Sequence, residues 1–151
     1  MLDKKDNTLV VSGFPGVGKS YFAGKERYRE GNHKLITLDA DSSSFDKGGF
    51  PLNYISHIKS KLGKVDILFV SSDWEVRKSL VNNGIFFTLV YPNKSLKIEY
   101  LKRYAERGDS DEFINSLLSK WNVWLDELGN QNGCVHLVLN SGEYLWDKLN
   151  V

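Results

Sequence analysis

The sequence is poor in the residues that make cross-links, metal cages and membrane spans. It holds one cysteine, one methionine, three prolines and three histidines in 151 residues. A single cysteine, Cys134, cannot close an internal disulfide, and its place beside Val135 and Leu137 reads as a small buried hydrophobe rather than a catalytic thiol. His33, His57 and His136 are scattered without metal-ligand spacing and read as surface or satisfied core residues. No apolar stretch approaches the roughly 20 residues needed to cross a bilayer, so no membrane role is expected. The net charge of +1 supplies no global field to recruit nucleic acid. The opening MLDKKDN is charged and lacks the apolar segment of a secretory signal. The expected compartment is therefore a reducing cytoplasm.

What is present is ordinary for a globular chain: 41% hydrophobic and 26% charged residues. With no repeat, low-complexity segment or linker, residues 1–151 read as one domain. Apolar runs alternate with helix-like stretches, the signature of β-α-β units and a mostly parallel sheet. The predicted strands are Thr8 to Ser12, Lys34 to Leu38, Val65 to Ser71, Ile85 to Tyr91 and Val135 to Leu139. The third and fourth are almost continuously apolar, as strands covered on both faces should be. Predicted helices run from Tyr21 to Glu30, from Pro51 to Gly63, from Trp74 to Val81 behind Asp73 as N-cap, from Ser95 to Arg107, and from about Asp109 to Leu128. In the last of these Phe113, Leu117, Trp121, Trp124 and Leu128 form one stripe. Helical spacing favours packing against the sheet over a base-stacking platform.

Residues 13 to 20 read GFPGVGKS, the pattern G-x-x-x-x-G-K-[ST] of a phosphate-binding P-loop. Glycines let the backbone turn tightly, so that successive N–H groups converge on phosphate oxygens at a helix N-terminus. Both flanks agree, with an apolar run before Gly13 and a helix-compatible stretch after Ser20. The expected nucleotide site runs from Gly13 through Pro15, Gly16, Val17, Gly18, Lys19 and Ser20 to Tyr21. Lys19 supplies charge to the β- and γ-phosphates, and Ser20 a hydroxyl to Mg²⁺.

Three other stretches carry chemistry. The strand before Asp39-Ala40-Asp41-Ser42 delivers two carboxylates and a serine run to the carboxyl edge of the sheet, where ligands of open α/β sheets bind. Asp39 could orient or deprotonate an acceptor hydroxyl and Asp41 could hold Mg²⁺ through water, while a solvated turn is the plainer alternative. At Val70-Ser71-Ser72-Asp73-Trp74-Glu75-Val76-Arg77 another buried strand reaches the same edge. Here Asp73 could serve the metal or simply cap the next helix. Farther on, Arg103 and Arg107 share a face at i,i+4 beside Gly108, in a region of about residues 94–110 that could close as a lid over a triphosphate. Glu99 and Glu106 could instead pair with them as surface ions. Asn140 follows the last strand, where adenine is commonly held in P-loop folds.

In this order, the P-loop, the D-x-D after the second strand and the R-x-x-x-R-G of a basic helix give a chain that resembles the nucleoside monophosphate kinase-like group of small P-loop kinases. Shikimate and gluconate kinases belong to that group, and the chain looks most like short bacteriophage kinases of nucleotides or modified DNA bases. The resemblance implies a three-layer α/β P-loop NTPase fold with helices on both faces of a mostly parallel five-stranded sheet in 2-3-1-4-5 order. It implies ATP and Mg²⁺ as cofactors, with Lys19, Asp39, Arg103 and Arg107 as catalytic residues and Ser20, Asp41 and Asp73 toward the metal. The acceptor site would include Asp39, Asp41, Ser42, Asp73 and Arg77.

One departure matters: no arginine lies between Ala40 and Lys64, where kinases of nucleoside monophosphates often keep a phosphate clamp. Either Arg77 and lysines provide the clamp, or the acceptor is a hydroxyl with Asp39 as its base. The leading expectation is an ATP-dependent kinase of a nucleoside or nucleotide. The alternatives are a kinase of a hydroxymethylated base or 5′ end in DNA, and a nucleotide-binding NTPase switch.

Overall fold

The computed structural model describes residues 8–19, 28–29, 33–40 and 42–149. Ser20, Tyr21 and Asp41 of the expected site lie outside them. In chain order the strands are β1 (Leu9–Gly13), β2 (Tyr28–Arg29), β3 (His33–Lys34), β4 (Thr37–Asp39), β5 (Ile67–Ser71), β6 (Thr88–Pro92) and β7 (Val135–Leu139). The α-helices among the described residues are α1 (Leu52–Lys61), α2 (Trp74–Asn82), α3 (Lys97–Glu106), α4 (Asp111–Gly129) and α5 (Leu145–Lys148).

Five strands form one all-parallel sheet in the order β4-β5-β1-β6-β7, which is 2-3-1-4-5 when its members are counted along the chain. The fold is thus α/β, as the alternation of apolar runs and helix-like stretches predicts. Val10 to Gly13 of β1 are all buried, as are Ile67 to Val70 of β5. Successive strand residues point to opposite sides, so the sheet is covered on both faces at its centre. Register brings the functional ends together: Gly13 pairs with Ser71 and Val90, and Asp39 with Phe69.

Three local expectations fail. The predicted helix from Tyr21 to Glu30 does not hold at its end, where β2 and β3 pair as an antiparallel ribbon; residues 21–27 and 30 lie outside the described set. The strand predicted over Lys34 to Leu38 is confined to Thr37–Asp39 in the main sheet. Just before it the Asp66 carboxylate accepts the Ile36 N–H at 2.8 Å, so a side chain takes over that rung. Ile85 and Phe86 stay out of β6 because the Ile85 N–H turns back to the Leu80 carbonyl at the end of α2.

Helix ends follow from local chemistry. Ser110 caps α4 by accepting the Phe113 N–H, and Gly108 enables the turn before it with φ 84°. On α4 Leu117, Trp121 and Leu128 are buried, joined by Ile114 and Leu125, while Phe113 and Trp124 stay partly open. No helix among the described residues is long and apolar enough to cross a membrane.

Candidate functional site

Where β1 ends, the chain turns through Phe14 to Val17 and is helical at Lys19. The loop is held by its carbonyl oxygens. Pro15 O accepts from the Tyr104 hydroxyl at 2.9 Å, Gly16 O from Arg103 Nη1 at 2.9 Å, and Val17 O from the Leu145 N–H at 3.0 Å. A trans peptide sets its C=O and the following N–H antiparallel. The N–H groups of Gly16 and Gly18 therefore point away from Tyr104 and Leu145. Gly16 and Gly18 have φ of 89° and 101°, and a Cβ on either would come within 2.9 Å of the Tyr104 or Tyr144 ring. Phe14 anchors the loop from below, its ring 5.6 Å from Trp121 and 4.7 Å from Trp124.

Beside this loop the carboxyl ends of β1, β4 and β5 enclose a pocket of about 180 Å³, lined by Gly13, Lys19, Asp39, Ser42, Asp73 and neighbouring residues. These expected site residues come from three separate segments of sequence, and the parallel register is what brings them together. Asp73 stands at the N-cap position of α2, yet its carboxylate makes no capping bond. Its own N–H is held by Ser71 Oγ at 3.1 Å. Tyr54 is a supporting residue that sequence reasoning passed over. Buried on α1, it donates to the Ala40 carbonyl at 2.5 Å and accepts the Ser71 N–H at 3.1 Å, tying the end of β4 to the end of β5.

On the other side of the loop lies a cleft of about 960 Å³, walled by Pro15, Gly16, Gly18 and Lys19 against Arg103, Arg107, Tyr144 and the end of α3. The two arginines of α3 behave differently. Arg103 has a side chain only 9% exposed, bonded to Gly16 O and Glu143 O and paired with Glu99. Its guanidinium is sandwiched between the rings of Tyr100 (4.3 Å to the centroid) and Tyr144 (3.8 Å). Arg103 thus braces the loop while lining the cleft. Arg107 is 44% exposed, pairs with Asp109, and faces the cleft.

Glu99 completes the brace. It takes hydrogen bonds from Ser141 Oγ and the Gly142 N–H, and these, with Arg103 alongside, hold its carboxyl below its ordinary range. Burial pushes the Tyr100 phenol up to about 12 and raises Tyr104 too, so both are neutral props near neutral pH.

Three expected site residues among those described line neither space, the first being Val17, which is buried under the loop. Arg77, the expected acceptor clamp, is 1% exposed, with its donors engaged by Ser72 O, Gln131 Oε1 and Glu127. Asn140 sits in a turn closed on Glu143, and the residue of that segment that reaches the cleft is Tyr144. The signal for Tyr100 and Tyr104 was legible as an i,i+4 pair beside Arg103; nothing local marked Tyr54 or Tyr144.

Cys134 and His136 belong elsewhere. His136 Nε2 meets Gln131 O at 2.7 Å and so carries the proton, leaving Nδ1 to accept from Tyr91 at 2.8 Å. Burial raises the Cys134 thiol, which fits an inert side chain. Among the described residues no group of three or more His, Cys, Asp or Glu could hold a metal ion. Two carboxylates on one pocket still suit a hard cation that is completed by phosphate and water. Scanned against protein-family models the chain matches none, and no curated protein matches it in sequence.

Proposed function

We propose that the protein is an ATP-dependent phosphotransferase of the P-loop kinase type, passing the γ-phosphate to a nucleoside or nucleotide acceptor. The observation that carries this reading is the convergence of a carbonyl-pinned glycine loop, Lys19, Asp39 and Asp73 on one small pocket at the carboxyl edge of a parallel sheet.

In this reading the Gly16 and Gly18 N–H groups and the Lys19 ammonium hold the phosphates, and the larger cleft receives the rest of the nucleotide. Ser20, Asp41 and Asp73 are the residues that would hold Mg²⁺, which would supply positive charge to offset the charge developing on the phosphates. Asp39 orients the acceptor hydroxyl and takes its proton. Arg107, exposed on the cleft, is the arginine able to swing onto the transferring group, while Arg103 keeps the loop in shape. With Arg77 committed to Glu127 and Gln131, the pocket lacks an arginine clamp from that position. This supports an acceptor that presents a hydroxyl.

The test is ATP consumption by the purified chain against nucleosides, deoxynucleoside monophosphates, other small hydroxyl compounds and hydroxymethylated DNA, with Lys19→Ala as control. Acceptor-dependent ADP formation that disappears in the variant is the expected result. ADP formed equally without acceptor would replace the kinase by an NTPase switch, and wild-type transfer by the Lys19→Ala protein would remove the loop from the chemistry.

A further inference from the structure

A second hollow adjoins the small pocket. It has a volume of about 300 Å³ and is lined by Asp73, Trp74, Lys120, Val123, Trp124 and Glu127. Asp73 and Trp124 also line the pocket that holds Lys19 and Asp39. The two spaces therefore share a wall: a small polar compartment with the reactive groups opens beside a larger one with two indole rings.

Trp74 is 53% exposed, although tryptophan gains more than any other side chain from being covered. It occupies the first position of α2, directly after Asp73, and the Lys78 ammonium stands 4.8 Å from its ring centroid. Trp124 is fixed from the opposite side by Phe14. Two indoles border one hollow, and base stacking on an indole accepts any base.

We infer that this hollow is the acceptor's ring subsite: it takes an unpaired nucleobase against Trp74 and Trp124, while the sugar hydroxyl of the same molecule reaches Asp39. The inference rests on the phosphotransfer reading above and adds to it the part of the acceptor that is recognised. It also revises the sequence-based view of the α4 stripe, in which Trp121 is core but Trp124 lies at the rim of both spaces. Arg77 pairs with Glu127 on the wall of the hollow.

Calorimetric titration of the full chain with the four deoxynucleosides, with 2-deoxyribose and with a 5′-hydroxyl single-stranded oligonucleotide tests this without requiring catalysis. The wild type, Trp74→Ala and Trp74→Phe proteins are compared, with melting curves to establish that each is folded. The expected result is base-bearing probes bound by the wild type, a weakening of about tenfold or more in Trp74→Ala, most of it recovered in Trp74→Phe, and unchanged ATP affinity. Equal binding by wild type and Trp74→Ala, deoxyribose bound as well as the nucleosides, or no binding of any base-bearing probe would each overturn the subsite. Preference for the oligonucleotide would identify the base as part of a strand, and preference for nucleosides as part of a small molecule. Failure of the kinase reading has a different signature: base binding that depends on Trp74 with no phosphate transfer to any acceptor.

Discussion

The wall formed by the glycine loop, α3 and the turn after β7 uses its polar groups differently from the wall formed by the ends of β4 and β5. On the first, Arg103, Glu99, Tyr104 and the loop carbonyls are spent on one another. On the second, Asp39 and Asp73 are exposed, and Asp73 leaves its helix uncapped by its carboxylate. Charge on the first wall is scaffolding; the carboxylates of the second are left exposed. Function and stability should therefore separate cleanly between the walls.

Asp39→Asn puts that separation at greatest risk. Phosphate transfer should fall by about 10²–10⁴-fold if Asp39 serves as the base, whereas an exposed carboxylate should change stability by no more than about 0.5 kcal/mol. Initial rates and melting curves on the same preparation decide it, and a large stability loss with full turnover would reverse the assignment of the two walls.

Arg103→Ala attacks the other wall. It removes a nearly buried cation from two carbonyls, a carboxylate and two rings, and should cost about 3 kcal/mol, or roughly 10 °C in melting temperature. Arg107→Ala, whose ion pair with Asp109 is at the surface, should cost about 0.5 kcal/mol or less and act on turnover instead. Similar melting temperatures for the two variants would mean that the brace does not exist.

The Glu99 carboxyl titrates below its ordinary 4.5 in the folded chain. Its stabilisation is complete above that value and is lost as pH falls through the depressed folded value. Acid melts should show a steeper loss for the wild type than for Glu99→Gln, with the variant about 1 kcal/mol less stable at neutral pH. Parallel acid limbs would take Glu99 out of the brace. Finally, the Tyr100 hydroxyl is buried without a hydrogen-bond partner among the described residues. Tyr100→Phe should leave the melting temperature unchanged or slightly higher, and a marked drop would reveal a partner for that hydroxyl.

The alternation of strands and helices and the loop were legible because they rest on runs of residues: continuous apolar strands, glycine punctuation and the G-K-S ending; the order of the strands came only with the resemblance. Asp39 and Asp73 were legible as ends of such runs, since parallel strands deliver their carboxyl ends to one edge. The unequal roles of Arg103 and Arg107 were not legible. Spacing of i,i+4 fixes a shared helix face, but what packs on that face is set by Tyr144 and Glu143, some forty residues away. Arg77 misled for the same reason: its neighbours in sequence point to the site, and its partners Glu127 and Gln131 come from the end of α4 and the turn that follows it. The short β2–β3 ribbon replaced the end of a helix because neither local propensity nor pattern distinguishes two residues of pairing from a last helical turn.

The Tyr54 hydroxyl, bonded to Ala40 and Ser71, joins positions fourteen residues apart in sequence on its Ala40 side. Everything between Ala40 and Tyr54, including the short turns Ser42–Ser44 and Lys47–Gly49, departs from and returns to one knot. Such an arrangement behaves as a cassette. A replacement of different length and composition beyond Ser42 can be spliced between those anchors while Asp39 and Asp73 keep their separation.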